Sequence, residues 1–442
     1  MADLLLSYYG DDFTGSTDVM EALAAHGVPT VCFLGIPTPE LRARFSDCRA
    51  IGIAGTSRSQ TPDWMAAELP PVFSWLKDQG AALTHYKLCS TFDSAPTTGN
   101  IGRAIEIGRQ VFAQALVPVV VGAPELKRYT AFGHLFAAYQ GRTYRIDRHP
   151  VMARHPVTPM DESDLTLHLA RQTALPIGLV DLPMLAGDGA GAIAQARDEG
   201  KAILFLDVDG AESQAAAGRA LWQGRDAAPF LAGSSGVEYA LLRAWRAEGL
   251  AGERIAFDPP GAVERLAVVS GSVSPTTERQ IRAALDDGFE GIAIDPLALT
   301  EGDGAAAIAA AVAQGLAGLK AGRSVILYTA LGPSADRGGE IDRVADARHR
   351  LGARLGTILR RLVEAEGLTR AVIAGGDTSS HALKELRIDA LTTRLPLPQT
   401  PGSPLCTGHG AHAPTNGLEI ALKGGQVGAD DYFSQIRAGR AG

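Results

Sequence analysis

Two adjacent aspartates occupy a short turn near the start of the chain, between a predicted strand and a predicted helix. The turn runs from Gly10 to Gly15, with Asp11 and Asp12 at its beginning. Carboxylates at such a position can accept hydrogen bonds from a polyol, bind a metal ion or take a proton from a hydroxyl nucleophile. The same residues would also suit a helix cap, and the local pattern leaves both roles open.

A second polar segment follows a later strand and again leads into a predicted helix. It combines hydroxyls, an amide and backbone N–H groups at a helix start, which suit a carboxylate or a phosphate. Its candidate binding residues are Lys87, Ser90, Thr91, Asn100 and Gly102. Lys87 would neutralise the bound anion. The alternative is a simple Ser/Thr-rich turn with Lys87 on a solvated edge.

Small residues dominate three turns in the C-terminal half. They are the turns at 270–274, at 374–380, which contains Gly375-Gly376, and at 423–428, which contains Gly424-Gly425. Glycine pairs between a strand and a helix free backbone N–H groups for phosphate oxygens. The chain contains neither GxxxxGK[ST] nor GxGxxG, so it lacks the Walker A and dinucleotide fingerprints. Two glycine-rich turns in one small region favour a single nucleotide-binding site.

The elements that must position these turns alternate between strand and helix. A strand at 4–8, a helix from Ser16 to His26 and a strand at 30–34 form the opening unit, with Asp18 near the helix start and Gly27 at its end. Such a unit implies parallel strands and a right-handed crossover. Further strands are predicted at 50–54, 83–88, 117–121, 177–180 and 202–207, with helices at 101–116 and 165–172.

The alternation breaks at 249–261, a segment rich in glycine and charge that contains Pro259-Pro260. It restarts with strands at 266–269, 291–294, 324–328, 371–373 and 418–422, and with a helix at 304–319. We therefore predict an N-terminal domain at 1–248, a linker at 249–261 and a C-terminal domain at 262–442. Each would be an α/β domain with a mainly parallel sheet flanked by helices. The active site is expected in the cleft between them.

Composition narrows the class of protein. The chain has 442 residues, of which 46% are hydrophobic and 20% charged, with a net charge of -8. This composition excludes global disorder and indicates no nucleic-acid partner. The four cysteines form no CxxC pair, and no apolar run is long enough to span a membrane, so we expect a cytoplasmic protein without a membrane partner. Any anionic ligand must be held by local groups.

Together the motifs resemble the four-carbon acid sugar kinase family, over nearly the whole chain. The resemblance rests on 11–18, 56–59, 87–102, 148–172, 270–272, 375–379 and 422–425. It implies an acid-sugar-binding N-terminal domain and a C-terminal domain that binds ATP. The implied reaction is ATP-dependent phosphorylation of a terminal hydroxyl of threonate, erythronate or a 3-oxo-tetronate.

The resemblance also implies roles for individual residues. The acid sugar would be held by Asp11, Asp12, Arg58 and the segment from Lys87 to Gly102. The nucleotide would be held by Ser270, Ser272, Gly375, Gly376, Asp377, Thr378 and Gly425. Mg²⁺ would bridge the phosphates with Asp377 as a partner. Asp12 is the first choice for the general base or hydroxyl-orienting group, and Asp11 is the second.

One departure from the family pattern bears on the substrate. Family members commonly carry Asp-Ser-Thr-Leu-Arg-Gly where this chain has the residues from Cys89 to Ser94, with an acid, Asp93, and no arginine. Arginine is the natural bidentate partner of a carboxylate. We therefore hypothesise a different carboxylate clamp and a branched substrate such as 3-oxo-isoapionate.

Two other classes of function remain open at this stage. A sensor that clamps a sugar acid between two domains would bind its ligand without ATP turnover. A nicotinamide-dependent dehydrogenase would share the α/β architecture, but the missing GxGxxG disfavours it. A homo-oligomer is compatible with either class and with a kinase.

Overall fold

The computed structural model describes residues 3–341, 343, 346–400 and 402–440, and only the backbone of Asp377 and Ser380. The chain divides into two compact units. The first comprises the residues up to Val31 together with Arg42–Ile255, and the second comprises Cys32–Leu41 and the residues from Ala256 onward. The division falls inside the segment predicted as a linker. The short segment 32–41, which the sequence places in the N-terminal domain, groups with the second unit.

The described residues up to position 255 form eleven strands. They are β1 (Leu6–Gly10), β2 (Thr30–Phe33), β3 (Ala50–Ala54), β4 (Leu83–Lys87), β5 (Val117–Val120), β6 (Arg128–Ala131), β7 (His134–Tyr139), β8 (Arg142–Arg145), β9 (Ile177–Val180), β10 (Ile203–Leu206) and β11 (Phe230–Gly233). The helices are α1 (Phe13–Ala24), α2 (Pro39–Ala43), α3 (Pro62–Asp78), α4 (Ile101–Phe112), α5 (Leu165–Ala170), α6 (Leu182–Asp198), α7 (Ala211–Gln223) and α8 (Gly236–Ala247).

A parallel sheet with the order β3-β1-β4-β11-β5-β10-β9 forms the centre of the first unit. Strands β1, β4 and β5 are buried along their whole length, as expected when helices cover both faces of a parallel sheet. The sequence did not predict β6, β7 and β8, which form a separate antiparallel sheet. Most of their residues are partly buried or exposed. Strands β6 and β8 lack the continuous apolar runs by which the other strands were recognised, although β7 contains one at 135–139.

The described residues from position 256 onward form seven strands. They are β12 (Ala267–Ser270), β13 (Glu290–Ala293), β14 (Val325–Tyr328), β15 (Arg370–Ala374), β16 (Ala390–Leu395), β17 (Leu405–His409) and β18 (Glu419–Lys423). The helices are α9 (Pro275–Asp286), α10 (Pro296–Thr300), α11 (Ala305–Lys320), α12 (Gly338–Ile341), α13 (Ala347–Glu366), α14 (Gly376–Glu385) and α15 (Tyr432–Ala438).

The sheet of the second unit has the order β13-β14-β12-β15-β18-β17-β16. Its first five strands are parallel, and β17 is antiparallel to both of its neighbours. Apolar residues of β12, β15 and β18 pack against α9 and α15 in one buried cluster. The predicted α/β class, with mainly parallel strands in each unit, is therefore confirmed, although the sequence missed β16 and β17.

Candidate active site

The first group of candidate residues lies at the carboxyl ends of β1 and β4. These strands are parallel neighbours, and their last residues, Gly10 and Lys87, are paired in register. The backbone N–H of Asp11 donates to the carbonyl of Lys87 over 2.8 Å. The two aspartates and the lysine therefore meet at the edge of the sheet where open α/β folds bind ligands.

Asp12 caps a helix, which is one of the roles that its sequence position left open, and it also pairs with an arginine. Its Oδ1 accepts a hydrogen bond of 2.5 Å from the N–H of Gly15, which makes it the N-cap of α1. Its Oδ2 accepts a bond of 2.7 Å from Arg58 Nη1. The helix accordingly begins at Phe13, and the predicted start at Ser16 is wrong because Asp12 already caps the first turn. The Asp12 side chain remains 32% exposed.

Asp11 differs sharply from its neighbour. Its side chain is buried, and the described residues provide no hydrogen-bond partner for Oδ1. Burial, and then the adjacent charge of Asp12, raise the pKa of Asp11 to about 7. A carboxyl group with such a pKa accepts a proton readily near neutral pH.

Arg58 is held by carboxylates on two sides. Its Nη2 donates to both oxygens of Asp93, at 2.9 and 3.0 Å, while Nη1 contacts Asp12. The hydroxyls of Thr91 and Thr158 also donate to Asp93. Burial alone would raise the pKa of Asp93, but the Arg58 charge and these bonds lower it. Asp93, which departs from the family pattern, thus positions Arg58 from another element.

Lys87 is only 3% exposed, so its placement on a solvated edge is wrong. Its Nζ donates to the carbonyl of Leu88 over 3.1 Å and lies 3.7 Å from Asp18 Oδ2. The hydroxyl of Ser235 donates to the same carboxylate. Burial is the largest single influence and opposes the charge of Lys87, but the charges of Asp18, Asp12, Glu238 and Asp11 together outweigh it and raise the pKa of the lysine. Asp18 therefore pairs with a buried lysine instead of capping α1.

The remaining predicted substrate residues mainly shape the loop. Asn100 caps α4, since its Oδ1 accepts a 2.7 Å bond from the N–H of Arg103. A Cβ on Gly102 would lie 2.7 Å from the carbonyl of Gln172, so this position admits only glycine. Ser90 is half-buried in the same loop. The predicted substrate residues that lie close together in the first unit are Asp11, Asp12, Arg58, Lys87 and Thr91.

The second group lies at the carboxyl ends of three adjacent strands of the second unit. Ser270 pairs with Ala374, and Ala374 pairs with Lys423. The turns that follow are linked by hydrogen bonds from Gly271 N to the Ala374 carbonyl, 3.1 Å, and from Gly375 N to the Lys423 carbonyl, 2.9 Å. The three small-residue turns of the sequence therefore meet at one edge of this sheet.

Glycines let the turns at this edge of the sheet approach one another closely. Gly375 has a φ of 122°, and a Cβ there would lie 2.9 Å from Thr378 Oγ1 and 3.6 Å from the Ser272 nitrogen. A Cβ on Gly425 would lie 3.3 Å from Ser272 Oγ, whereas the space beside Gly376 is open. Backbone N–H groups, two hydroxyls and an open glycine suit phosphate oxygens. The predicted role of Asp377 concerns a side chain outside the described residues.

Sequence reasoning missed Lys423 as a site residue. Its side chain is fully buried, and Nζ donates to Thr277 Oγ1 over 3.0 Å and to the Gly424 carbonyl over 2.9 Å. Burial lowers its pKa to about 8. The available signal was a lysine at the last position of an apolar strand, directly before a glycine pair.

Two kinds of feature are absent from the described residues. Among them, no group of three or more His, Cys, Asp or Glu side chains is placed to hold a metal ion. No helix of the described ranges is long and apolar enough to cross a membrane.

Comparison with known proteins identifies the class of protein to which this chain belongs. A family model described as a sugar-binding N-terminal domain matches residues 6–241, and one described as a nucleotide-binding C-terminal domain matches 267–433. A 3-oxo-isoapionate kinase of Paraburkholderia graminis is 47% identical, over 99% of this chain and 95% of its own length. A 3-oxo-tetronate kinase of Pseudomonas fluorescens is 32% identical, over 99% and 97%. The chain is therefore an enzyme that phosphorylates a sugar acid.

Solved structures agree on the fold. A Salmonella typhimurium protein superposes with a TM-score of 0.78 at 25% identity, covering 98% of both chains. A Haemophilus influenzae protein superposes with a TM-score of 0.75 at 23% identity, covering 98% of this chain and 99% of its own. With both domain models matched and the kinases similar over their full length, this chain belongs to the four-carbon acid sugar kinase family.

Proposed function

We propose that this kinase transfers the γ-phosphoryl group of ATP to a hydroxyl of a branched 3-oxo sugar acid of the 3-oxo-isoapionate type. The observation that carries the choice of substrate is the 47% identity to a 3-oxo-isoapionate kinase, against 32% to a 3-oxo-tetronate kinase. The latter similarity makes 3-oxo-tetronate the second candidate. The reaction belongs in the cytoplasm, where ATP is available.

The sugar acid binds in the first unit, at the ends of β1 and β4. Arg58 and Lys87 supply positive charge for its carboxylate, although each is already balanced in part by an aspartate. Asp12, Ser90 and Thr91 offer acceptors and hydroxyls for the polyol part. Asn100 and Gly102 act on the substrate through the shape of their loop.

Asp11 is better suited than Asp12 to accept the proton of the attacking hydroxyl. Both oxygens of Asp12 already accept hydrogen bonds, one from the N–H of Gly15 and one from Arg58. Asp11 has an oxygen without a partner among the described residues and a pKa near 7. The sequence-based first choice, Asp12, then becomes a group that orients Arg58 and the substrate.

ATP binds in the second unit, with its phosphates at Gly375-Gly376 and Gly425 and beside the hydroxyls of Ser270, Ser272 and Thr378. The donor set of N–H and hydroxyl groups fits phosphate oxygens. Mg²⁺, held mainly through the phosphates with Asp377 as its protein partner, would neutralise charge on the transferring group.

In the transfer step the substrate oxygen forms a bond to the γ-phosphorus while the bond from that phosphorus to the bridging oxygen of ADP breaks. The hydroxyl proton passes to the carboxylate of Asp11 and then to solvent. Phosphoryl transfer depends mainly on positioning and charge stabilisation, which the fixed turns of the two units provide.

The test is an ADP-release assay with ATP, Mg²⁺ and a panel of 3-oxo-isoapionate, 3-oxo-tetronate, threonate and erythronate. We expect the branched acid to give the highest kcat/KM. Faster turnover of a four-carbon acid would overturn the choice of substrate. If no acid stimulates ADP release, while sugar acids still bind, the protein is a sensor instead.

A further inference from the structure

Lys423, the last residue of β18, carries a charge that the described protein does not balance. Its side chain is completely buried. Its Nζ donates to Thr277 Oγ1 at 3.0 Å and to the carbonyls of Gly424 and Gly425 at 2.9 and 3.5 Å. All three acceptors are neutral.

A buried ammonium group with only neutral acceptors is costly, because hydrogen bonds to them recover only part of its lost hydration. Burial is accordingly the cause of the lowered pKa of Lys423. Several described charged and titratable side chains on the surrounding elements have partners elsewhere: Glu278 with Arg282, Arg279 with Asp430, His381 with His349, His409 with Thr392 and Arg370 with Glu419. Lys384 on α14 is exposed.

The position of this charge points to its ligand. Thr277 Oγ1, which accepts from Lys423, also lies 3.0 Å from Ser272 Oγ. The carbonyl of Lys423 accepts from the N–H of Gly375. The ammonium group therefore stands directly behind the turns that carry Ser272, Gly375 and Gly425.

We propose that Lys423 is the fixed positive charge that attracts the phosphate groups of the nucleotide, an inference that rests on the proposed use of ATP. The lysine acts as a point charge through the thin glycine turn, while the backbone N–H groups and Ser272 make the direct contacts. It replaces the lysine that a Walker A loop would supply, which this chain lacks.

A purely structural lysine would also stabilise the turn, so the test must separate charge from stability. Binding of ATP and AMP, each with Mg²⁺, is measured by calorimetry for the wild type, Lys423→Gln and Lys384→Gln. Lys384 is an exposed lysine in the last turn of α14 and serves as the matched control. We expect Lys423→Gln to weaken ATP binding about tenfold or more and AMP binding far less.

Equal weakening of ATP and AMP, or none, in a folded Lys423→Gln protein would overturn the proposal while leaving ATP-dependent function intact. Failure of the wild type to bind either nucleotide would instead overturn the proposed function itself.

A second measurement needs no variant and holds even if Lys423→Gln does not fold. An anion beside Lys423 favours its protonated form, so binding of fully ionised MgATP at pH 8 should be accompanied by proton uptake. The uptake is read from the dependence of the binding heat on the ionisation heat of the buffer. ATP binding without proton uptake at this pH would contradict the proposal.

Discussion

Two buried lysines end central strands of the two units, and their surroundings differ. Lys87 ends β4 and Lys423 ends β18, and each donates to the carbonyl of the residue that follows it. Asp18 lies 3.7 Å from Lys87, whose pKa is raised. Lys423 has only neutral acceptors among the described residues, and its pKa falls to about 8.

The difference separates a charge that a protein carboxylate already balances in part from a charge that meets only neutral groups. In the first unit, Asp18 offsets part of the charge of Lys87 before any substrate binds. In the second unit, the protein leaves the charge of Lys423 to be balanced by phosphate. A lysine at the same topological position can thus either complete a buried pair or prepare an anion site.

The largest expected effect is on stability, when the two lysines are exchanged for methionine. Lys87→Met leaves the buried carboxylate of Asp18 without its partner and should cost about 3–5 kcal/mol of unfolding free energy. Lys423→Met leaves no described carboxylate unpaired and should change it by about 1 kcal/mol or less. Urea unfolding of both variants checks the difference, and equal losses would remove the distinction between them.

Asp11→Asn should reduce turnover by at least about a hundredfold, because the amide cannot accept the hydroxyl proton. Its matched control is Asp12→Asn, which keeps a capping oxygen for α1 but loses the charged contact with Arg58, and which should cost about 1 kcal/mol or less in stability. Steady-state kinetics and urea unfolding of both variants are the measurements. A larger loss of turnover in Asp12→Asn would return the role of base to Asp12.

The pH dependence follows from the same carboxyl group. Asp11 must be ionised to act as a base, and its pKa of about 7 means that kcat/KM should fall about tenfold per pH unit below that value.

The raised pKa of Asp11 has the opposite effect on stability. The contribution of this carboxyl group to the free energy of unfolding is full at acid pH and is lost as the pH rises through 7. Asp11→Asn should therefore be more stable than the wild type at pH 8. A flat acid limb in the wild type would exclude Asp11 as the base.

Sequence patterns were sufficient for the fold class and for the turns that carry the site, because strand ends in α/β folds are marked by small and polar residues. They could not supply long-range partners. The pairing of Lys87 with Asp18, and the clamp of Asp93 on Arg58, join positions 69 and 35 residues apart. Nor could they show that Lys423 is buried beside neutral acceptors, since burial of a charge depends on the packing of α9 against β18.

The smallest expected effect tests whether the Asp18 carboxylate beside Lys87 is charged. The hydroxyl of Ser235 donates to the Asp18 carboxylate, whereas the neighbouring Ser234 donates to the carbonyl of Val121. Each serine-to-alanine change should cost about 1 kcal/mol of unfolding free energy at pH 7. Only the Ser235 bond is strengthened by a charge, so its loss should cost less once acid protonates Asp18, while the cost of Ser234→Ala should not change. Urea unfolding at several pH values distinguishes them, and a cost for Ser235→Ala that does not vary with pH would mean that Asp18 is not the charged partner of Lys87.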